Sequence, residues 1–201
     1  ALQRQRRRTE ALPAAPRTPS DIVLTTGFVR LADGQQFLLF DGGPGDPDRL
    51  IMLGTRGNLT TLQSSPHWFA DGTFKIAPCI YYQLYTIHAL VSGRVVPMVY
   101  CLLKRKTTAT YTRVFNKLLE LQPGLSPESF LSDFEQAAIH AFKSIFPAAT
   151  AAACFFHLKQ SIQRHIQECG FLQEYRNDSR FREAVQLLPA LAFLKQSDVA
   201  Q

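Results

Sequence analysis

The order of the apolar segments after residue 66 limits the possible folds more than any other feature of this sequence. Segments rich in aromatic and β-branched residues cover His67–Lys75, Tyr82–Val91 and Val95–Leu103, and each of them predicts a strand. Ser92–Arg94 places a tight reversal between the last two segments, and Pro78 breaks the chain between the first two. The sequence therefore predicts an antiparallel meander of three strands.

The chain after residue 103 alternates between helical and extended patterns. Apolar residues recur at helical spacing from Tyr111 to Leu119, which predicts an amphipathic helix. Further predicted elements are a strand at Ser129–Phe134, a helix at Glu135–Phe146, a buried strand at Ala149–Phe156, a helix from Leu158 to Gly170 and a helix at Phe181–Leu188. Three antiparallel strands followed by alternating helices and strands are the α/β layout of the ribonuclease H-like fold, a mixed sheet in which the first and fourth strands are neighbours.

The first 65 residues predict a basic arm and a short β-rich segment. Residues 1–20 hold five arginines against one acidic residue and show no apolar period, which indicates a disordered arm. Residues 21–65 predict two short strands, QQFLLF and RLIMLGT, on either side of the turn DGGPGDPD. Nucleic-acid phosphates or nuclear import receptors are the partners expected for the basic cluster, and a solvated linker is the alternative; the cluster comprises Arg4, Arg6, Arg7 and Arg8.

The composition is that of a folded protein. Hydrophobic residues make up 46% of the chain, and the 19% of charged residues is too low for a disordered protein. No apolar run reaches the length of a membrane span and no signal peptide is visible, so we expect an intracellular protein without a membrane partner. Widely spaced cysteines without a C-x-x-C pair predict reduced, buried thiols at Cys79, Cys101, Cys154 and Cys169.

Two carboxylates stand where the predicted sheet would bring them together. Asp71 lies in the first strand of the meander, in FADGTF, and Asp133 lies at the end of the fourth strand, 62 positions later. Neighbouring strands would place both acids at one point, where two carboxylates and a phosphodiester meet the ligand needs of Mg²⁺. Local alternatives remain open: Asp71 and Gly72 could form a turn, and Ser132 with Glu135 could form a capping box that makes Asp133 a helix-start residue.

A second candidate constellation is the C-x-x-H pair of Cys154 and His157, in CFFH. Structural zinc would need two more ligands, and no second pair at a suitable spacing is present in the sequence. A buried thiol beside a hydrogen-bonded histidine is the commoner outcome for such a pair.

Five stretches of the sequence carry a family resemblance, and they follow one another from about Trp68 to Ile162. They are HWFADGTFKIAP, YYQLYTIHAL, VVPMVYCLLKRKTTATYTRVFNKL, FLSDFEQAAIHAFKSIFP and CFFHLKQSI. Together they resemble the transposase domain of Mutator-like elements (MULE), of the type found in animal genomes. The resemblance implies a ribonuclease H-like fold whose two aspartates and one glutamate use Mg²⁺ or Mn²⁺ to cut DNA at element ends and join it to a target. It implies that Asp71 and Asp133 are the catalytic, metal-binding aspartates, and that Cys154 and His157 support the geometry of the site.

The same resemblance implies that the third acid is missing. In the family the glutamate follows a large helical insertion, so residues 171–201 correspond to the start of that insertion, and Glu168, Glu174 and Glu183 come too early to match. We therefore expect residues 66–170 to form the core of a truncated transposase domain that cleaves DNA poorly or not at all. A domesticated, non-catalytic DNA-binding or protein-interaction module is the alternative, and an RNA-processing nuclease of the same fold also remains open. The implied partner is DNA, with a possible homo-oligomer and a nuclear location.

Overall fold

A computed structural model describes residues 15–74, 76–194 and 198 of the chain. Arg4, Arg6, Arg7 and Arg8 of the predicted basic arm lie outside these residues. Within the described part, one mixed sheet of seven strands is arranged in the order β1-β2-β5-β4-β3-β6-β7. The strands are β1 (Leu38–Asp41), β2 (Ile51–Leu53), β3 (His67–Thr73), β4 (Gln83–Val91), β5 (Arg94–Leu103), β6 (Ser129–Ser132) and β7 (Thr150–Ala153).

The helices of the described residues alternate with the later strands, as the sequence predicts. They are α1 (Thr26–Val29), α2 (Arg56–Ser64), α3 (Thr108–Leu121), α4 (Gln136–Ile145), α5 (Phe155–Glu168), α6 (Leu172–Asn177) and α7 (Ser179–Leu187), with 3-10 turns at Pro19–Asp21 and Leu188–Phe193. Among these helices, none is both long and apolar enough to cross a membrane.

The strand pairing has the predicted ribonuclease H-like arrangement. Strand β4 pairs antiparallel with both β3 and β5, which completes the predicted meander. Its β4–β5 reversal is tight because Ser92 and Gly93 both adopt positive φ, the conformation of a two-residue hairpin turn. Strand β6 then pairs in parallel with β3 and β7 in parallel with β6, so the first and fourth strands of the core are neighbours.

The core lies between the sheet and helices α3 and α4. The amphipathic pattern of α3 buries Tyr111, Val114, Phe115 and Leu118. Phe142 of α4 stacks on Phe130 of β6, with ring centroids 4.1 Å apart, and Trp68 of β3 meets Phe142 edge to face. Close packing of these large rings fixes β3 and β6 against the same two helices.

The N-terminal segment adds to the same sheet. The two strands predicted for residues 21–65 pair with each other, and β2 also pairs with β5. The sequence analysis missed helix α2, which buries only Leu59 and Leu62 and begins at a capping box formed by Thr55 and Asn58. A weak apolar pattern of this kind gives little helical signal.

Two expectations about burial are wrong. Strand β7 ends at Ala153 and lies at the edge of the sheet, where its residues alternate between exposed and half-buried, and Phe155 and Phe156 belong to helix α5. The small residues of β7 suggest a buried strand in the sequence, but alanine is found both in buried strands and in exposed edge strands. The four thiols are free, as predicted, but Cys101 alone among them is buried, and Cys79 and Cys169 are exposed.

Candidate functional site

Strand β3 carries Asp71 without interruption. Asp71 pairs with Thr86, Gly72 with Tyr85 and Thr73 with Leu84 across β4, so the strand continues two residues past the acid. The alternative of a turn at Asp71 and Gly72 is therefore wrong. The Asp71 side chain is 45% exposed, and its Oδ2 accepts a hydrogen bond of 3.2 Å from the Thr73 hydroxyl.

The register between β3 and β6 brings Asp133 to the same place. His67 pairs with Ser129, Trp68 with Phe130 and Phe69 with Leu131, and the same offset extended by two residues puts Asp133 beside Asp71. A methyl group added at Gly72 would lie 3.7 Å from Asp133 Oδ2. The predicted convergence of the two carboxylates is thus present.

The helix-start alternative for Asp133 is only partly met. Helix α4 begins after Glu135, and no side chain caps it, because the Ser132 hydroxyl donates to the carbonyl oxygen of Asp133. The predicted capping box of Ser132 and Glu135 is therefore absent. Asp133 Oδ1 accepts one hydrogen bond of 3.3 Å, from the backbone N–H of Glu135.

The two carboxylates interact electrostatically. Burial raises the pKa of Asp133, and the negative charge of Asp71 raises this pKa further. The hydrogen bond from Glu135 and the nearby His157 act in the opposite direction. A cation between the acids would relieve both the desolvation and the repulsion, so the arrangement favours binding a positive ion.

The C-x-x-H pair approaches the acids through its histidine. His157 Nε2 lies 3.7 Å from Asp71 Oδ1, while His157 Nδ1 is buried without a hydrogen-bond partner among the described residues. Cys154 contributes through its backbone N–H, which donates to the carbonyl oxygen of Ser132 over 2.7 Å and ties the start of α5 to the end of β6. No group of three or more histidine, cysteine or acidic residues suited to a metal ion occurs in the described part of the chain.

Three further side chains lie around the acids, and of these the sequence analysis names only Glu135, as part of a possible capping box. Glu135 forms an ion pair of 3.4 Å with Lys106, the last of three successive cations that follow β5. The third is Gln83, which is 1% exposed; its Oε1 occupies the space beside Gly72, and its Nε2 donates to the Tyr111 hydroxyl over 2.6 Å. A run of cations in a sequence is usually a solvated surface, and nothing local connects residue 106 to residue 135.

All of these groups lie at one end of the sheet. Strands β3, β5, β6 and β7 run in the same direction, and β3 leads to β4 and β5 on one side while β6 and β7 lie on the other. Ligands of open α/β sheets bind outside the carboxyl ends of strands at such a switch point. The fold and the paired acids define a ribonuclease H-like domain with a candidate phosphodiester site.

Comparison with known proteins finds one family model that matches the core of the chain. The family model described as the MULE transposase domain matches residues 67–161, the stretch whose motifs resemble that family. The match contains Asp71, Asp133, Cys154 and His157. None of the curated proteins compared with the chain matches it.

Solved structures similar to the chain include retroviral integrases. The HTLV-2 integrase catalytic core domain in complex with magnesium, in a trimeric form, is 18% identical, with 53% of this chain and 74% of that chain covered and a TM-score of 0.32. The simian T-cell lymphotropic virus intasome in complex with PP2A regulatory subunit B56 gamma is also 18% identical, with 64% of this chain and 48% of that chain covered and a TM-score of 0.32.

Proposed function

We propose that the MULE transposase domain of this chain binds DNA and holds a divalent cation, Mg²⁺ or Mn²⁺, through Asp71 and Asp133. The observation that carries the proposal is the β3–β6 register, which brings two acids 62 positions apart to the switch point of the sheet. The proposed chemistry is that of the family: cleavage of a DNA phosphodiester at an element end, followed by strand transfer.

The donor set fits Mg²⁺ or Mn²⁺ better than zinc. Mg²⁺ keeps several waters and is held by one or two carboxylates together with substrate phosphates, whereas structural zinc takes four protein ligands. Two carboxylates, one of them 45% exposed, leave room for water and phosphate oxygens. When bound, such an ion supplies Lewis-acid stabilisation of the reacting phosphate.

The chain's own residues would set the geometry of that site. Thr73 orients one oxygen of Asp71 by its hydrogen bond, and Glu135 orients one oxygen of Asp133. His157 approaches the other oxygen of Asp71 and would restrict its rotation. These contacts would preorganise both carboxylates before DNA arrives.

Metal binding and DNA nicking test the proposal together. Mn²⁺ binding, followed by electron paramagnetic resonance, should be lost in Asp71→Asn and Asp133→Asn and retained in Glu174→Gln, which removes an exposed acid of helix α6. Any metal-dependent nicking of supercoiled plasmid by the wild type should disappear in the same two variants. Equal Mn²⁺ binding or equal nicking in all four proteins would remove these acids from the mechanism.

A second candidate function is DNA binding without cleavage. It needs no metal ion, and the described residues contain no group of three or more histidine, cysteine or acidic side chains suited to hold one. Salt-dependent DNA binding combined with no metal-dependent nicking would identify this module. If the four arginines of the basic arm contact phosphates, affinity should fall about a hundredfold between about 50 and 200 mM salt. We also propose that the protein is nuclear and that it forms a homo-oligomer.

A further inference from the structure

The sheet end that carries Asp71 and Asp133 also exposes large aromatic side chains. Phe74 directly follows β3 and Tyr82 directly precedes β4, and their exposed fractions are 49% and 48%. Phe134, which follows Asp133, is 42% exposed. Scattered single apolar side chains are normal on a surface, but a group of rings around one polar site indicates a ligand.

A series of contacts connects these rings to both carboxylates. Thr73, which donates to Asp71, is followed by Phe74, and the Phe74 ring lies 5.4 Å from the Tyr82 ring at 79°. Lys106 Nζ lies 5.9 Å from the centroid of the Tyr82 ring. The same ammonium group pairs with Glu135, whose backbone N–H binds Asp133. The rings therefore sit on the rim of the two-acid site.

The chemistry of this rim favours a nucleobase over an apolar protein surface. Covering the rings with a protein would also bury the Lys106 ammonium group and the Asp71 carboxylate, whose side chains are 49% and 45% exposed, at a large desolvation cost. A nucleotide matches the rings and the ammonium group, because its base has a flat π-face for the rings and its phosphate suits the Lys106 cation. Two rings that stand nearly perpendicular form a corner, so a planar base can lie on one ring and meet the other with its edge.

We propose that Phe74 and Tyr82 form a stacking platform for an unpaired base next to the DNA phosphate held at Asp71 and Asp133, and that Lys106 contacts the neighbouring phosphate. The base is unpaired because a ring can reach the face of a base only at a duplex end, in a single strand or after flipping. This inference rests on the proposed function and adds the positioning of the strand to it. The platform therefore holds the strand through a base that is unpaired at the cleavage point.

The experiment uses a duplex with a single-stranded overhang that carries 2-aminopurine as its first unpaired base, in the presence of Mg²⁺. Affinity is measured by anisotropy and stacking by quenching of the 2-aminopurine fluorescence. Phe74→Leu and Tyr82→Leu keep apolar bulk but remove the ring, and Tyr82→Trp keeps a ring. Phe28→Ala is the matched control, because Phe28 is 54% exposed in α1, outside the rim.

The expected result is a loss of affinity of about five- to a hundredfold for each leucine variant, with loss of quenching. Tyr82→Trp and Phe28→Ala should behave like the wild type. Lys106→Gln should lower the salt slope of overhang binding by about 0.7, whereas Arg94→Gln, at the opposite end of β5, should leave it unchanged.

Each other outcome overturns the platform. Tight DNA binding with quenching that is unchanged in both leucine variants removes the platform and leaves the proposed function intact. Quenching lost equally in Phe28→Ala would show a nonspecific effect. Absence of DNA binding by the wild type would overturn the platform and the proposed function together.

Discussion

Substitution of Gly72 by alanine tests the packing behind the two acids. A Cβ at this position would lie 2.7 Å from Gln83 Oε1, closer than side-chain carbons approach oxygen in folded proteins. Gln83 is 1% exposed and its amide is bound to the Tyr111 hydroxyl, so it cannot move aside without giving up that buried hydrogen bond. We therefore expect Gly72→Ala to destabilise the protein although alanine suits a strand better than glycine does.

The magnitude follows from two opposing contributions. Leaving a buried polar group without its partner costs about 1–3 kcal/mol. Replacing glycine by alanine in a compatible conformation contributes about 0.4–1 kcal/mol of stability through the unfolded chain. The net loss in the free energy of unfolding should be about 1–2 kcal/mol, which corresponds to a decrease in Tm of roughly 2–8 °C for a protein of this size.

Urea denaturation followed by tryptophan fluorescence measures this change, because the one tryptophan of the chain, Trp68, is buried in the core. Removing the obstructing amide with Gln83→Ala should reverse the sign, so that Gly72→Ala becomes neutral or stabilising in that background. Gly57→Ala is the control, since its Cβ would find its nearest neighbour at 3.6 Å, an ordinary contact, and should stabilise helix α2. Equal destabilisation by Gly72→Ala with and without Gln83 would refute the reasoning.

Two further predictions concern the charges. Burial raises the pKa of Asp133, so protonated Asp133 stabilises the folded state below the ordinary pKa of 3.8, and this contribution is lost as the pH rises through the raised pKa. Asp133→Asn should therefore become more stable than the wild type as the pH increases, and the difference should vanish in acid. Urea denaturation midpoints measured across pH test this prediction. Arg49 is 3% exposed and donates two hydrogen bonds to Asp41 and two more to the carbonyl oxygens of Pro19 and Ile22. Arg49→Met should therefore lower the free energy of unfolding by about 3–5 kcal/mol and speed proteolysis near residue 20. Arg105→Met, which breaks an exposed pair with Asp48, should lower it by less than about 1 kcal/mol, and equal losses in the two variants would contradict this difference.

The sequence alone determined the order of the strands and predicted that the two strands carrying the carboxylates are neighbours. The spacing of apolar residues changes from a strand pattern in the meander to a helical pattern in α3, so both can be predicted from local sequence. The order of these elements then limits the sheet to an arrangement in which β3 and β6 are neighbours. Asp71 and Asp133 could be selected for this reason, and the family match over residues 67–161 agrees with the motifs. Helix α2 was not predicted, because its two core leucines alone do not produce a recognisable helical spacing of apolar residues.

Only the tertiary structure decided the register, the burial and the neighbours of the site. The offset between β3 and β6 depends on how Trp68, Phe130 and Phe142 pack, and it decides whether the two acids meet or pass each other. The contacts of Lys106 with Glu135 and of Phe74 with Tyr82 join residues that are distant along the chain or separated by a loop, and no local pattern encodes them. The exposure of β7 likewise follows from its position at the sheet edge, because alanine is equally at home in a buried strand.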